Sequence, residues 1–212
     1  MKPVARIAGV ILAAGASTRM GHPKAMLRFD DGETLLARQH SLLSNAGCRD
    51  IIAVVGCSAP DIRAGNMDLE VHWVVNDDWR RGQFSSLQAG LSAAGELEAD
   101  RALVLPVDVV GVRATTIEAV VETSLINPHA DAVVPQFEGR GGHPVCVSME
   151  LIETILRKDP TDSSSRLDLV LKEAKSVIHL PVNDRQVSRN VNTRQEWDAL
   201  HQAAATTTPV FS

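Results

Sequence analysis

Leu12-Ala13-Ala14-Gly15-Ala16-Ser17-Thr18-Arg19-Met20-Gly21-His22-Pro23-Lys24 is the stretch on which the reading of this chain turns. It emerges from the apolar run Arg6–Ala14, which reads as a buried strand. Its small residues let a ligand approach the backbone closely, because no side chain stands in the way. Free amide N–H groups in such a turn form an anion-binding concavity. Arg19 adds a planar fork of donors and Lys24 a compact positive charge. Polyphosphate is the ligand that needs all of these at once. On spacing alone, a plain glycine-rich connection with surface Arg19 and Lys24 stays open beside it. Two commoner phosphate loops are excluded. A Walker A loop needs Gly-Lys-Ser/Thr adjacent, and here His22-Pro23 separates Gly21 from Lys24. The dinucleotide fingerprint GxGxxG is broken at Gly15-Ala16-Ser17.

Outward from this loop, strand-like runs alternate with helical patterns. Thr34–Ala46 carries Leu35, Leu36, Leu42, Leu43 and Ala46 at helical spacing. Asp50–Cys57, Glu70–Asn76, Arg101–Val107, Ala130–Phe137, His143–Ser148 and Val177–Val182 read as strands. Ser85–Ala94, Ala114–Leu125, Met149–Arg157, Ser165–Lys172 and Thr193–Ala203 read as helices, with a polar loop over Asp159–Ser165. Thr193-Arg194-Gln195-Glu196 supplies a capping box. The alternation predicts an α/β protein of three layers, a mainly parallel sheet covered on both faces. Ligands of such sheets sit outside the carboxyl ends of the strands. One domain over residues 1–202 is expected, with a flexible tail over 203–212.

Composition removes several function classes. The chain has 212 residues, a net charge of -5 and 3% aromatic residues with no tyrosine. Neither a basic duplex-binding face nor a base-stacking platform is expected, so no nucleic acid. Cys48, Cys57 and Cys146 are odd in number and form no CxxC, which points to buried, reduced thiols in the cytoplasm. Lys2, Arg6 and the run Ile7–Ala14 outline a secretory signal, but the run is short and continuous in its chemistry with Ser17–Lys24. No segment approaches the roughly 20 apolar residues of a membrane span.

The run Leu12–Lys24 resembles the signature LAAGxSxRMGxPK of the MobA-like nucleotidyltransferases, and the nearest group looks like the molybdenum cofactor cytidylyltransferases. Four further blocks agree in order and spacing. Asn76–Leu87 resembles N-x-x-W-x-x-G-x-x-x-S-L, and Leu103–Val112 lies where the family carries an acidic metal-binding turn. Gly139–Val145 resembles G-x-x-G-H-P-V, and Asn190-Val191-Asn192-Thr193 resembles a late D-I-D-T or N-I-N-T motif. The resemblance implies a Rossmann-like nucleotide-diphospho-sugar transferase fold. It also implies transfer of a nucleoside monophosphate, CMP from CTP in first place, to a molybdopterin-type phosphate acceptor, with Mg²⁺ as cofactor and pyrophosphate as product. A molybdoenzyme is an implied partner.

Carried onto this chain, the resemblance gives Arg19, Lys24 and Asp108 catalytic roles. Leu12, Ala13, Ala14, Gly15, Ser17, Asn76, Ser85 and Ser86 would bind nucleotide. Asp108 and Asn192 would hold the metal, and Gly142 and His143 would face the acceptor. Trp79 reads either as a ligand wall or as packing. Three departures stand out. Val110 replaces a proline after Asp108, Asn190 and Asn192 stand where many members carry aspartate, and Pro160–Arg166 lacks the glycines of Gly-Asp-x-Gly-Ala-Arg. These leave other triphosphates, GTP among them, other small phosphate acceptors, and a non-catalytic cofactor-binding accessory protein as alternatives.

Overall fold

The computed structural model describes residues 5–205, and side chains up to residue 200. The strands are β1 (Ile7–Ala13), β2 (Asp50–Val55), β3 (His72–Val75), β4 (Arg101–Pro106), β5 (Ala132–Phe137), β6 (Arg140–Gly141), β7 (Val145–Ser148) and β8 (Val177–Pro181). The helices are α1 (Leu35–Asn45), α2 (Ala59–Ala64), α3 (Gln83–Glu96), α4 (Ala114–Ile126), α5 (Met149–Leu156), α6 (Leu167–Glu173) and α7 (Arg194–Ala205). All belong to one mixed sheet and its two helical covers. β1 is central and pairs in parallel with β2 and β4, and β3 extends β2 in parallel. β7 runs antiparallel between β4 and β5, and β8 pairs in parallel with β5. Five of the strands thus share the direction of β1, namely β2, β3, β4, β5 and β8, while β6 and β7 oppose it.

Every residue of β1 is buried, because both faces of the strand are covered. Ile7 and Ile11 pack with Leu36 and Leu43 of α1, Ile117 of α4 and Trp197 of α7. Ala8, Val10 and Leu12 pack on the other face with Leu87 and Leu91 of α3 and Ile152 of α5. Gly90 permits the closest of these contacts. A Cβ there would stand 2.5 Å from Val10 Cγ1 and 2.8 Å from Val54 Cγ2. The apolar run that resembled a signal core is therefore the central strand.

The expected elements are present with ends shifted by up to two residues, α3 extending two residues past its expected span at each end, and the loop expected over Asp159–Ser165 is a loop. α2 and β6 had no sequence signal, being too short for either period to register. Cys57 departs from the expected buried thiols: it is exposed, whereas Cys48 and Cys146 are buried. Residues 203–205 of the expected tail continue α7, and the rest of that tail lies outside the described residues, as does Lys2. Among the described residues no helix is long and apolar enough to cross a membrane.

Candidate active site

The loop after β1 leaves the sheet at its carboxyl edge and turns sharply at Ser17, which is left-handed at φ 50°. Ser17 is held there from two sides. Its carbonyl accepts from Met20 N–H at 2.8 Å, and its Oγ accepts from Lys24 N–H at 3.1 Å. Gly21, at φ 65°, makes the second left-handed turn. The effect is to fold Lys24 back across the carboxyl ends of β1 and β4. Its Nζ lies 3.0 Å from Asp108 Oδ2 and 2.9 Å from Asn192 Oδ1. Arg19 Nη2 approaches the same Asn192 oxygen at 3.4 Å.

Asp108 sits just past β4 and is fixed by its backbone. Its carbonyl accepts from Val191 N–H at 2.7 Å, and Val109 forms a bridge with Asn190. Asn192 is fixed by the start of α7. The Glu196 carboxylate accepts from Asn192 N–H at 2.6 Å and Thr193 N–H at 2.9 Å, and Thr193 Oγ1 accepts from Glu196 N–H at 3.2 Å. This is the capping box read from the sequence, and it doubles as the clamp on a site residue. The two N–H groups hold the Glu196 carboxyl below its ordinary range.

Asp108 and Asn192 are the residues here that could hold a hard cation. Asp108 Oδ2 and Asn192 Oδ1 already converge on one positive group, the Lys24 ammonium. A carboxylate and an amide oxygen are few protein ligands, which suits Mg²⁺ with its retained waters. Among the described residues no group of three or more His, Cys, Asp or Glu forms a metal cluster. Any metal here would take the rest of its ligands from water and phosphate.

Two clefts open side by side at this edge. The smaller, of about 680 Å³, is lined by Leu12 to Arg19, Lys24, Ser86, Asp108 and Asn192. It therefore gathers most of the residues expected to bind nucleotide and metal. The larger, of about 830 Å³, is lined by Gly142 and His143, the expected acceptor residues. Leu12, Gly82 and Gln83 border both clefts. His143 is half-buried, and its Nδ1 is closed off from solvent without a hydrogen-bond partner. Burial pushes its pKa down, against the smaller opposing pull of the Val104 carbonyl and Asp108.

Asn76 and Ser85 are placed differently. Asn76 Nδ2 donates to Ser85 Oγ and Ser86 Oγ, both at 3.0 Å, and its Oδ1 accepts from Asp78 N–H at 3.0 Å. Ser85 Oγ also reaches Gly82 O at 2.8 Å. Both side chains are buried in the turn that feeds α3, and neither lines a cleft. Sequence reasoning left out several cleft residues. Arg80 stacks over the Trp79 ring at 4.4 Å, and both border the smaller cleft. Arg81, Arg166, Lys172 and His179 border the larger one. Arg80 and Arg81 lie within Asn76–Leu87 and Arg166 ends Pro160–Arg166, but nothing in the sequence marked them out, because only the fold brings these residues to the two cavities.

Comparison with known proteins agrees with this architecture. The model of the MobA-like NTP transferase domain matches residues 9–177. Nicotine blue oxidoreductase of Paenarthrobacter nicotinovorans is 31% identical over 92% of this chain and 96% of its own length. A probable molybdenum cofactor guanylyltransferase of Mycobacterium ulcerans is 27% identical over 91% of this chain and 92% of its own. Among solved structures, Rv0371c of Mycobacterium tuberculosis is 26% identical, with a TM-score of 0.79 over 94% of this chain and 98% of that one. A manganese complex of Rv0371c superposes with a TM-score of 0.73 at 24% identity, over 94% of this chain and 100% of that one. Matched by that domain model over most of its length, and 31% identical to a relative over 92% of its residues, the chain belongs to the MobA-like NTP transferase domain family.

Proposed function

We propose that the protein transfers a nucleoside monophosphate from a triphosphate to the phosphate of a molybdopterin-type acceptor. The observation that carries this reading is the convergence of Lys24, Arg19, Asp108 and Asn192 at the rim of the smaller cleft, beside the left-handed turn at Ser17. We take GTP rather than the expected CTP as donor, because the sequence relatives with a base in their names are guanylyltransferases. The triphosphate would lie along the Gly15–Lys24 loop, with the acceptor in the larger cleft against Gly142 and His143.

Lys24 and Arg19 would stabilise charge growing on the departing pyrophosphate. Asp108 and Asn192 would hold Mg²⁺, which supplies charge neutralisation on the phosphates. Leu12, at the border of both clefts, would set the line of approach between acceptor and α-phosphorus. The acceptor phosphate is already ionised near neutral pH, so the chain needs no strong general base. Asn76 and Ser85 would act from behind, by shaping the turn that presents Ser86.

The test is binding of GTP, CTP, ATP and UTP with and without Mg²⁺, followed by pyrophosphate release with molybdopterin. Mg²⁺-dependent preference for GTP, and loss of roughly 10²–10³ in turnover in Asp108→Asn, would support the reading. No nucleotide binding would overturn it. The relative named nicotine blue oxidoreductase favours a second reading, reduction of nicotine blue. Reduction of nicotine blue by an added reductant, without any triphosphate, would select it.

A further inference from the structure

Between β8 and α7 the chain crosses both clefts. Val187, Ser188 and Asn190 line the larger cleft, and Asn192 lines the smaller. Only a short strap therefore separates a wall of the acceptor cavity from a proposed metal ligand. Three ties hold it. Val187 C=O accepts from His143 N–H at 2.7 Å, and Val191 N–H donates to the Asp108 carbonyl at 2.7 Å. The third tie is Asp184.

Asp184 is 3% exposed and has no cationic partner among the described ion pairs. Its Oδ2 accepts from Arg113 N–H at 2.8 Å and Thr116 Oγ1 at 2.9 Å, both at the start of α4. Its Oδ1 accepts from Gln186 N–H at 3.1 Å, within the strap itself. A buried carboxylate is costly unless its oxygens are satisfied, so this geometry is tightly specified. With the Arg113 Nη1 bond to Asn183 O beside it, this side chain joins α4 to the strap at the end away from Asn192. The strap also has no slack on its other side. A Cβ on Gly142 would stand 2.1 Å from Val187 O.

We propose that Asp184 is a positioning residue that sets where Asn192 meets Asp108, acting through a strap shared by both clefts. It touches neither nucleotide nor acceptor. The inference rests on the nucleotidyltransferase reading for its ligand readout, and on geometry alone for its structural one. Residues that orient a metal ligand from behind commonly cost roughly ten- to a hundredfold in metal affinity when removed.

The experiment compares wild type, Asp184→Ala, Asp184→Asn and Gly142→Ala by hydrogen exchange and by Mn²⁺ titration in the presence of GTP. In Asp184→Ala, amides 186–192 should lose protection while β1, β2 and β4 keep theirs. Mn²⁺·GTP affinity should fall by roughly tenfold or more, with metal-free GTP binding at the Gly15–Lys24 loop little changed. Asp184→Asn keeps one acceptor oxygen and should recover part of the affinity. Gly142→Ala pushes the strap from the opposite side and should weaken Mn²⁺·GTP binding while leaving α4 protected. If Asp184→Ala does not fold, Asp184→Asn, which conserves volume and loses one acceptor oxygen, decides the matter by the same two readouts. Unchanged exchange over 186–192 overturns the proposal, and so does lost protection with unchanged Mn²⁺·GTP affinity. If wild type binds no Mn²⁺·GTP, the nucleotidyltransferase reading falls, and the exchange data still decide whether Asp184 holds the strap.

Discussion

At the residue scale, the site is defined by a neutral side chain where many relatives are expected to carry a charge. Lys24 and Arg19 bring two positive charges and Asp108 and Glu196 one negative charge each, so the cluster around Asn192 is balanced. Asn192→Asp should therefore move two affinities in opposite directions. Mn²⁺ affinity should rise by about tenfold, worth about 1.4 kcal/mol, as a second carboxylate joins the site. Metal-free GTP affinity should fall, because the added charge opposes phosphate beside Lys24 and Arg19. Calorimetric titrations of each ligand alone would check both, and a parallel change in the two would contradict the charge argument. The residues behind this prediction were legible in sequence because they lie in motifs with fixed spacing. Asp184 was not, since an aspartate in a polar connection looks the same whether it points to water or into α4.

At the element scale, the elements long enough to show a period were readable, and those too short were not. The apolar run of β1 and the heptad-like spacing of α1 announce themselves. Six residues in α2 and two in β6 do not. Strand order was also hidden, because the reversal of β7 between β4 and β5 depends on pairings made across the chain. Helix α3 shows how tightly one element can be fitted. Gly90→Ala forces a methyl group against Val10 and Val54. Overpacking of this kind costs about 1–3 kcal/mol, and thermal melting should record a drop of roughly 2–4 °C for each kcal/mol in a protein of this size. An unchanged melting temperature would mean that α3 can shift away from the sheet at little cost.

At the scale of the whole molecule, His143 ties site chemistry to stability. Burial lowers its folded pKa, so the unfolded chain takes up a proton first as pH falls. The stabilising contribution is complete above the unfolded value of about 6.5 and shrinks as pH drops below it. Melting temperatures of wild type and His143→Gln should therefore differ in slope between pH 8 and pH 5.5, the wild type falling more steeply. Equal slopes would show that the ring charges freely in the folded state.

The Lys24 ammonium has one more consequence. It is a tethered counterion, already seated on the two oxygens that a divalent cation would use. Being part of the chain, it cannot be diluted or dialysed away, and its effective concentration at those oxygens is set by the fold rather than by the buffer. A free metal ion must win an exchange against it unaided. A metal arriving on a triphosphate brings with it the anion that gives the displaced ammonium a new partner. The resting protein is in this sense already neutralised, and cargo, not ambient ions, opens the place.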